Sequence, residues 1–385
     1  MSDVDTQTWQ LAELVQVPVV PEVASSFVPR GLIKLASGEW GCHGKDGQRD
    51  VPNPYDIEIS ALPWARAPRL TGPWQRVSTI AFDDLPAHPT TGHGCLSASV
   101  QLRSGRILIP MRVLPQDVSE ISKWDECIVY SDDEGATWQH TDTLKSQLGA
   151  PSAVSSGMSS LFELQDGSLV WPIGYYLEET DVEQCGWAGT SQAYVCSYDQ
   201  GLTWGDLTFT FKQYGDVMFR EAGVRILANG EWLACARCED QGFAQDRNLG
   251  PFGMPTYVIS RSDDGKNWSE PRLSVNGVEL AMEVLPGGAL LFAWRDNNYA
   301  AVRLSYDHGH TWGPYYDPFE VPWKRRAAAA HGQWPPGGTP RIQVLDECTA
   351  VVAYETGIAP NGAVIDPPPP DSEFQGWIAV RFLRR

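Results

Sequence analysis

Apolar and polar residues alternate along this chain in short runs, and each run gives way within a few residues to glycine. Four stretches show it plainly: Ser97-Ala-Ser-Val-Gln-Leu-Arg-Ser-Gly105-Arg-Ile-Leu-Ile-Pro110, Ser160-Leu-Phe-Glu-Leu-Gln-Asp-Gly167-Ser-Leu-Val-Trp-Pro172, Gly223-Val-Arg-Ile-Leu-Ala-Asn-Gly230-Glu-Trp-Leu-Ala234 and Ala281-Met-Glu-Val-Leu-Pro-Gly-Gly288-Ala-Leu-Leu-Phe292. A period of two marks a strand with one buried face, and two such runs around a glycine turn predict a hairpin. No segment carries a helical period convincing enough to predict a helix.

A second pattern follows the hairpins. Ser131-Asp-Asp133-Glu-Gly135-Ala-Thr137-Trp138 recurs as Ser197-Tyr-Asp199-Gln-Gly201-Leu-Thr203-Trp204, as Arg261-Ser-Asp263-Asp-Gly265-Lys-Asn267-Trp268 and as Ser305-Tyr-Asp307-His-Gly309-His-Thr311-Trp312. The shared form is S-x-D-x-G-x-T-W, and the third copy departs at its first and seventh positions. The Asp carboxylate can accept backbone N–H groups to close a tight turn, the glycine supplies a positive φ, and the Trp folds back as an apolar plug. Each copy lies between two short β-like runs, so hairpin, strand, octapeptide and strand together predict a four-stranded sheet. Hairpins begin near residues 28, 94, 157, 220, 278 and 338, which predicts an all-β, six-bladed β-propeller of four-stranded antiparallel blades in a single domain spanning 1–385. Leu70-Thr-Gly-Pro-Trp74 reads as a worn octapeptide in the first unit. The final run, 377–383, can close the ring against an N-terminal strand such as 11–20.

Composition narrows the chemistry. With 29 Lys+Arg against 48 Asp+Glu, the 385-residue chain carries a formal charge of −19, which argues against nucleic-acid or anionic-membrane partners. The acidic start, Met1-Ser-Asp-Val-Asp-Thr-Gln, lacks the basic and apolar regions of a signal peptide, so a cytoplasmic protein is expected, or a secreted one if this is the mature form. The eight cysteines are scattered and outline no disulfide framework. Cys235-x-x-Cys238 stands alone, without a second pair or a nearby His, and reads as two ordinary thiols; neither metal nor organic cofactor is implied.

The start of the first strand and the end of the second share one rim of such a sheet. Counting nine residues before each hairpin turn and seven after it pairs Pro29 with Lys45, Leu96 with Arg112, Met158 with Gly174, Glu221 with Arg237, Glu279 with Arg295 and Thr339 with Glu355. Units four and five both read E-x8-G-x6-R. Long connections collect at the same rim and carry Trp124, Trp187, Trp323, Trp334, Tyr175 and Tyr176. Aromatic faces beside charged groups suit a sugar ring, and a deep funnel with carboxylates suits the end of a glycan chain. The octapeptides fall at the opposite face and read as scaffold.

The octapeptides resemble the Asp-box (BNR) repeats of the sialidase superfamily, and the resemblance spans nearly the whole chain. It implies a six-bladed propeller in which three Arg bind a substrate carboxylate, a Tyr–Glu pair acts as nucleophile and a loop Asp as acid/base. Residues 221–237 resemble the segment with that Glu and the second Arg, which implies Glu221 and Arg237. Arg30, in Phe27-Val-Pro-Arg-Gly-Leu-Ile, resembles the first-blade Arg; Arg295 is the candidate for the third, and Arg112 lines the same opening. Asp50 is the candidate acid/base, with Asp46 and Asp56 competing. Substrate contacts are expected from Trp124, Trp187 and Tyr176. One position departs: counting back from Val351-Val-Ala-Tyr354-Glu-Thr-Gly357, Thr339 stands where the family carries its nucleophilic Tyr.

The resemblance implies an exo-acting glycoside hydrolase that releases a terminal acidic sugar. A loop Tyr can replace the missing nucleophile, or Glu221 and Glu279 can serve as a carboxylate pair, as in related propellers of the exo-arabinanase type. A uronate lyase with His43, His93, His331 or a Tyr as base, and a propeller that only binds glycans, are the other readings. The bland reading of each rim Glu–Arg pair is a structural ion pair.

Overall fold

The glycine-punctuated runs become strands. A computed structural model describes residues 8–19, 27–47, 59–80, 88–90, 99–114, 125–149, 154–156, 161–176, 191–213, 217–240, 256–276, 278–296, 299–314, 340–356 and 375–384. Together these form six antiparallel sheets. The first holds Phe27–Lys34, Trp40–Gly47, Ile59–Ala67 and Gln75–Ile80 in chain order. In the second, His88–Thr90 and Val100–Gln101 both pair with Ile107–Leu114, followed by Asp125–Ser131 and Gln139–His140. The third repeats this split, with Val154–Ser156 and Phe162–Glu163 against Leu169–Tyr175, then Ser191–Ser197 and Gly205–Phe211.

Val217–Ile226, Trp232–Asp240, Thr256–Ser262 and Arg272–Asn276 make the fourth sheet, and Val278–Val284, Leu290–Asp296 and Tyr299–Ser305 the fifth. In the sixth, Pro340–Asp346, Thr349–Thr356 and Gln375–Arg384 are joined by Trp9–Val19, which pairs antiparallel with Gln375–Arg384. The N-terminal strand therefore completes the sheet that the C-terminal strand enters, as the sequence predicts. The architecture is an all-β propeller of small antiparallel sheets.

Uniform four-stranded sheets are not seen among the described residues. Among the described residues the sheets have four, five, five, four, three and four strands. In the second sheet the described inner-edge residues are His88–Thr90 and Val100–Gln101, and residue 94, where a hairpin is expected to begin, lies outside the described residues. One helix also forms, Leu144–Leu148, ending at Gly149 with φ +62°. Its five residues are too few for a helical period to show in sequence, and the buried Leu144 is what anchors it.

Five of the glycine turns are alike. The N–H groups of Gly38, Gly105, Gly167, Gly230 and Gly288 donate to the carbonyls of the leucines three residues earlier, at 2.8–3.1 Å, with φ between +85° and +96°. Among the described residues five apolar clusters lie between the sheets, one at each successive interface from first–second to fifth–sixth. Phe27–Lys34 of the first sheet meets Pro340–Asp346 and Gln375–Arg384 of the sixth, so the sheets close into a ring. Trp64, Trp171, Tyr257 and Phe292 are among the fully buried side chains, each worth about 1.5–3 kcal/mol relative to exposure.

The octapeptides follow the third strands of the second to fifth sheets, counting each split inner edge as one, and dock each sheet onto the one before it. Asp133 Oδ1 accepts the Thr137 N–H at 2.8 Å, and Ser131 Oγ accepts the Gly135 N–H at 2.7 Å. The same bonds recur around Asp199 and Asp307. In the third copy the acceptor is Asp264, not Asp263: it takes the N–H groups of Lys266 and Asn267, because this loop is one residue shorter between Asp and Gly. Trp204 is buried, whereas Trp138, Trp268 and Trp312 are half-buried against the sheets. The worn copy holds its place too, with Trp74 fully buried.

Candidate active site

At the end of the molecule opposite the octapeptides, three inner strands break register in the same way. In the first sheet Pro29 pairs with Gly44 and Gly31 with His43, so Arg30 is an extra residue. In the fourth, Arg220 pairs with Arg237 and Gly223 with Cys235, which leaves Glu221 and Ala222 opposite one residue. Val278–Arg295 and Ala281–Ala293 do the same in the fifth and leave Glu279 and Leu280. A bulge adds one residue to one strand, re-aims the side chain there and is over-represented beside active sites. The bulges also shift the counted pairs by one: Val28, Arg220 and Val278, not Pro29, Glu221 and Glu279, stand opposite Lys45, Arg237 and Arg295. Thr90 is the partner of Arg112 and Ser155 of Gly174; Leu96, Met158 and Thr339 lie outside the described residues.

Glu221 is the best-defined member. Its φ is +55°, the left-handed region where a bulge normally carries glycine. Holding a side chain there costs about 1–3 kcal/mol, so the surroundings must enforce it. They do so from several directions. Arg237 Nη1 donates to Glu221 Oε1 at 3.0 Å, and the Tyr257 hydroxyl donates to Oε2 at 3.2 Å. Glu221 is only 5% exposed. Breaking such a buried pair by removing one partner typically costs about 3–5 kcal/mol.

Tyr257 is fully buried, and its oxygen also accepts the Leu280 N–H at 2.8 Å, tying the fourth-sheet bulge to that of the fifth. Burial, reinforced by the Glu221 charge, pushes the phenol well above its ordinary value. Tyr257 therefore stays protonated at rest and is a donor to Glu221. A carboxylate gripped at both oxygens by a guanidinium and a phenol is oriented to act as base, nucleophile or charge stabiliser.

The other predicted residues divide. Arg30, Arg112, Glu279 and Arg295 lie on strands at this end of their sheets, placed by backbone. Asp50, Trp124 and Trp187 lie outside the described residues. Tyr176 is 1% exposed, so its ring is packed inside rather than displayed on the rim as a stacking surface. Cys235 is buried and Cys238 half-buried, and neither is in a disulfide. His43, also buried, bonds through Nδ1 to Ser99 Oγ at 2.8 Å between the first two sheets.

Sequence reasoning missed Arg220, Tyr257 and Gln192. Arg220 precedes Glu221 and stands opposite Arg237, and Tyr257 faces Arg237 in register from the other side. Gln192 reaches over from the third sheet to the backbone on both sides of Glu221. Only Arg220, beside Glu221 in sequence, left a readable signal.

A cavity of about 490 Å³ occupies the axis at the hairpin end, where inner strands of all six sheets contribute residues such as Lys34, Gln101, Glu163, Arg225, Glu283 and Gln343. None of the predicted site residues lines it. Arg225 is already held there by Glu283 through three contacts of 2.9–3.1 Å. The bulges, with Glu221, lie at the other mouth.

Neither a protein-family model nor a curated protein sequence matches the chain. Solved structures do. The chain is similar to a Dyadobacter fermentans protein of unknown function (16% identity, 98% of this chain and 99% of that one, TM-score 0.64). It is similar also to a Hadza microbial sialidase (16% identity, 95% and 68%, TM-score 0.62). A third is an α-L-arabinofuranosidase of Fusarium graminearum in complex with an iminosugar inhibitor (11% identity, 96% and 97%, TM-score 0.61). The fold is that of the sialidase-like propellers. No helix among the described residues is long and apolar enough to cross a membrane.

Proposed function

We propose that this protein is a glycoside hydrolase that removes a terminal acidic sugar, of the sialic-acid type, from a glycan, and that its six sheets are the six blades of a sialidase-like propeller. The observation that carries this reading is Glu221: a carboxylate in a backbone state suited to glycine, held by Arg237 and Tyr257 on a bulge that recurs at Arg30 and Glu279. Such strain persists where surrounding structure over-determines it, and it clusters at active sites. Propellers named as a sialidase and an arabinofuranosidase support the same reaction class at the level of fold. In this reading Glu221 is a catalytic carboxylate, Arg30, Arg112, Arg237 and Arg295 receive the sugar's carboxylate, and Asp50 is the acid/base. Trp124 and Trp187 are the stacking surfaces.

A second reading is favoured by the equivalence of two bulges. Glu221 and Glu279 hold the same position on neighbouring sheets, and the Tyr257 hydroxyl bonds to one and to the residue after the other. Two carboxyls are sufficient for glycoside hydrolysis, retaining when close and inverting when a water fits between them. The substrate is then an arabinofuranoside-like terminal sugar, with no Tyr nucleophile needed.

A panel of 4-methylumbelliferyl glycosides separates these readings. Turnover of the α-sialoside supports the first, and turnover of the α-L-arabinofuranoside the second. New absorbance from an unsaturated uronate on uronate glycans replaces both with a lyase. Inertness towards all of them, with glycan binding that Glu221→Gln leaves intact, replaces them with a binding module.

A further inference from the structure

We propose that Gln192, on the third sheet, is a positioning residue that locks Glu221 of the fourth sheet in its left-handed conformation; its bearing on catalysis rests on Glu221 being the catalytic carboxylate. Gln192 is fully buried in the strand Ser191–Ser197. Its carboxamide Nε2 donates to the Phe219 carbonyl at 2.7 Å and to the Ser191 carbonyl at 2.8 Å. Its Oε1 accepts the Ala222 N–H at 3.0 Å. Phe219 and Ala222 flank the step from Arg220 to Glu221.

The placement answers a problem that the bulge creates. Where the ladder jumps from Arg220–Arg237 to Gly223–Cys235, Glu221 and Ala222 fall outside its regular pairing while Phe219 stays opposite Cys238, and buried backbone groups at such a break need partners. A primary amide presents donor and acceptor side by side, as a peptide unit does, so one side chain can serve a carbonyl and an N–H on the same stretch of chain. Gln192 takes both from outside the sheet. With these two groups pinned, the residues between them absorb the excess length, and Glu221 takes the positive φ. The hold comes from the third-sheet side, where Phe219 and Ala222 pack; Arg237 and Tyr257 grip the carboxylate from the other. Releasing Gln192 lets Glu221 return to negative φ and swings its carboxylate away from Arg237.

Gln192→Met keeps the length and apolar bulk while removing both bonds. On whichever 4-methylumbelliferyl glycoside the wild type hydrolyses, it is expected to lower kcat about 10- to 100-fold while KM moves less than about 3-fold, the signature of a misplaced reacting group. Val170→Ala, in the same buried interface, lowers Tm but keeps kcat. Gln192→Glu supplies the rescue. Burial raises the pKa of a carboxyl at this position, and once protonated it can donate to the Phe219 carbonyl and accept from Ala222. Its kcat relative to wild type therefore recovers as pH is lowered, whereas the deficit of Gln192→Met is independent of pH.

A crystal structure of Gln192→Met, or of Gln192→Glu at alkaline pH should the first not fold, is expected to show negative φ at residue 221 and a broken contact to Arg237. The proposal is overturned if φ stays positive with the 3.0 Å contact intact, or if kcat holds while only Tm falls. Should the wild type hydrolyse no glycoside, the glycosidase reading fails separately, and the crystal structure still decides whether Gln192 holds the bulge.

Discussion

The two ends of this propeller solve the same problem, turning a chain at the edge of a sheet, in opposite ways. At the octapeptide end the solution is local and repeated. Glu134, Gln200 and His308 all take positive φ at the same place in their turns, each followed by a glycine also at positive φ. Their strain is balanced by hydrogen bonds that span at most four residues, from the Gly N–H to the Ser hydroxyl and from the Thr N–H to the Asp carboxylate. At the bulged end Glu221 takes a similar φ inside a strand, with no such turn around it. What holds it comes from Arg237, Tyr257 and Gln192, on its own second and third strands and on the neighbouring sheet. Regularity marks the scaffold, and on the proposed reading the departure from it at Glu221 marks the chemistry.

The sharpest break of this contrast is in activity. Glu221→Gln is expected to lower turnover by at least about 100-fold on the glycoside that the wild type hydrolyses, measured by initial rates. Near-normal rates would remove Glu221 from the mechanism and leave both ends as scaffold. Gly135→Ala works in reverse. A Cβ there falls 2.1 Å from the Trp64 indole at a φ of +89°, so a loss of about 3 kcal/mol in urea unfolding is expected, with kcat of the folded enzyme unchanged.

Smaller effects refine the comparison. Glu221→Gly and Glu221→Ala both remove the carboxylate, but only glycine relaxes at φ +55°, so the Gly variant should be more stable than the Ala variant by about 1 kcal/mol. Equal stabilities would mean that the backbone there is not strained. The last test is acid. Burial opposes the ionised form of Asp307, but the Thr311 hydroxyl and N–H and the Ser305 hydroxyl outweigh it and hold the carboxyl at about 2, below its ordinary 3.8. A lowered folded-state pKa gives stability that is present above pH 4 and lost as pH falls towards 2. The Tm gap between wild type and Asp307→Asn should therefore be widest above pH 4 and shrink as pH approaches 2.

The hairpin glycines were readable because each turn is closed by a bond between residues three apart, and a pattern that local is written directly in the chain. The N-terminal partner of the final strand was readable from its apolar alternation. Counting failed wherever one residue was inserted or lost. The bulges moved Arg237 and Arg295 opposite Arg220 and Val278, and the shortened third octapeptide moved the turn acceptor from Asp263 to Asp264. A count assumes constant register, and a bulge leaves no compositional trace when a glutamate fills the place of its glycine.

The sequence alone determined the repeating scaffold, since strands, glycine turns and Asp-closed loops depend on neighbours a few residues away. Only the tertiary structure decided which groups meet at Glu221: Arg237 lies 16 residues along the chain, Gln192 reaches Ala222 across 30 and Tyr257 reaches Glu221 across 36. Arg237 and Tyr257 are brought there by strand pairing within the fourth sheet and Gln192 by packing of the third sheet against it, and a buried amide or phenol has the same appearance in sequence whether it fills a core or holds a carboxylate in place.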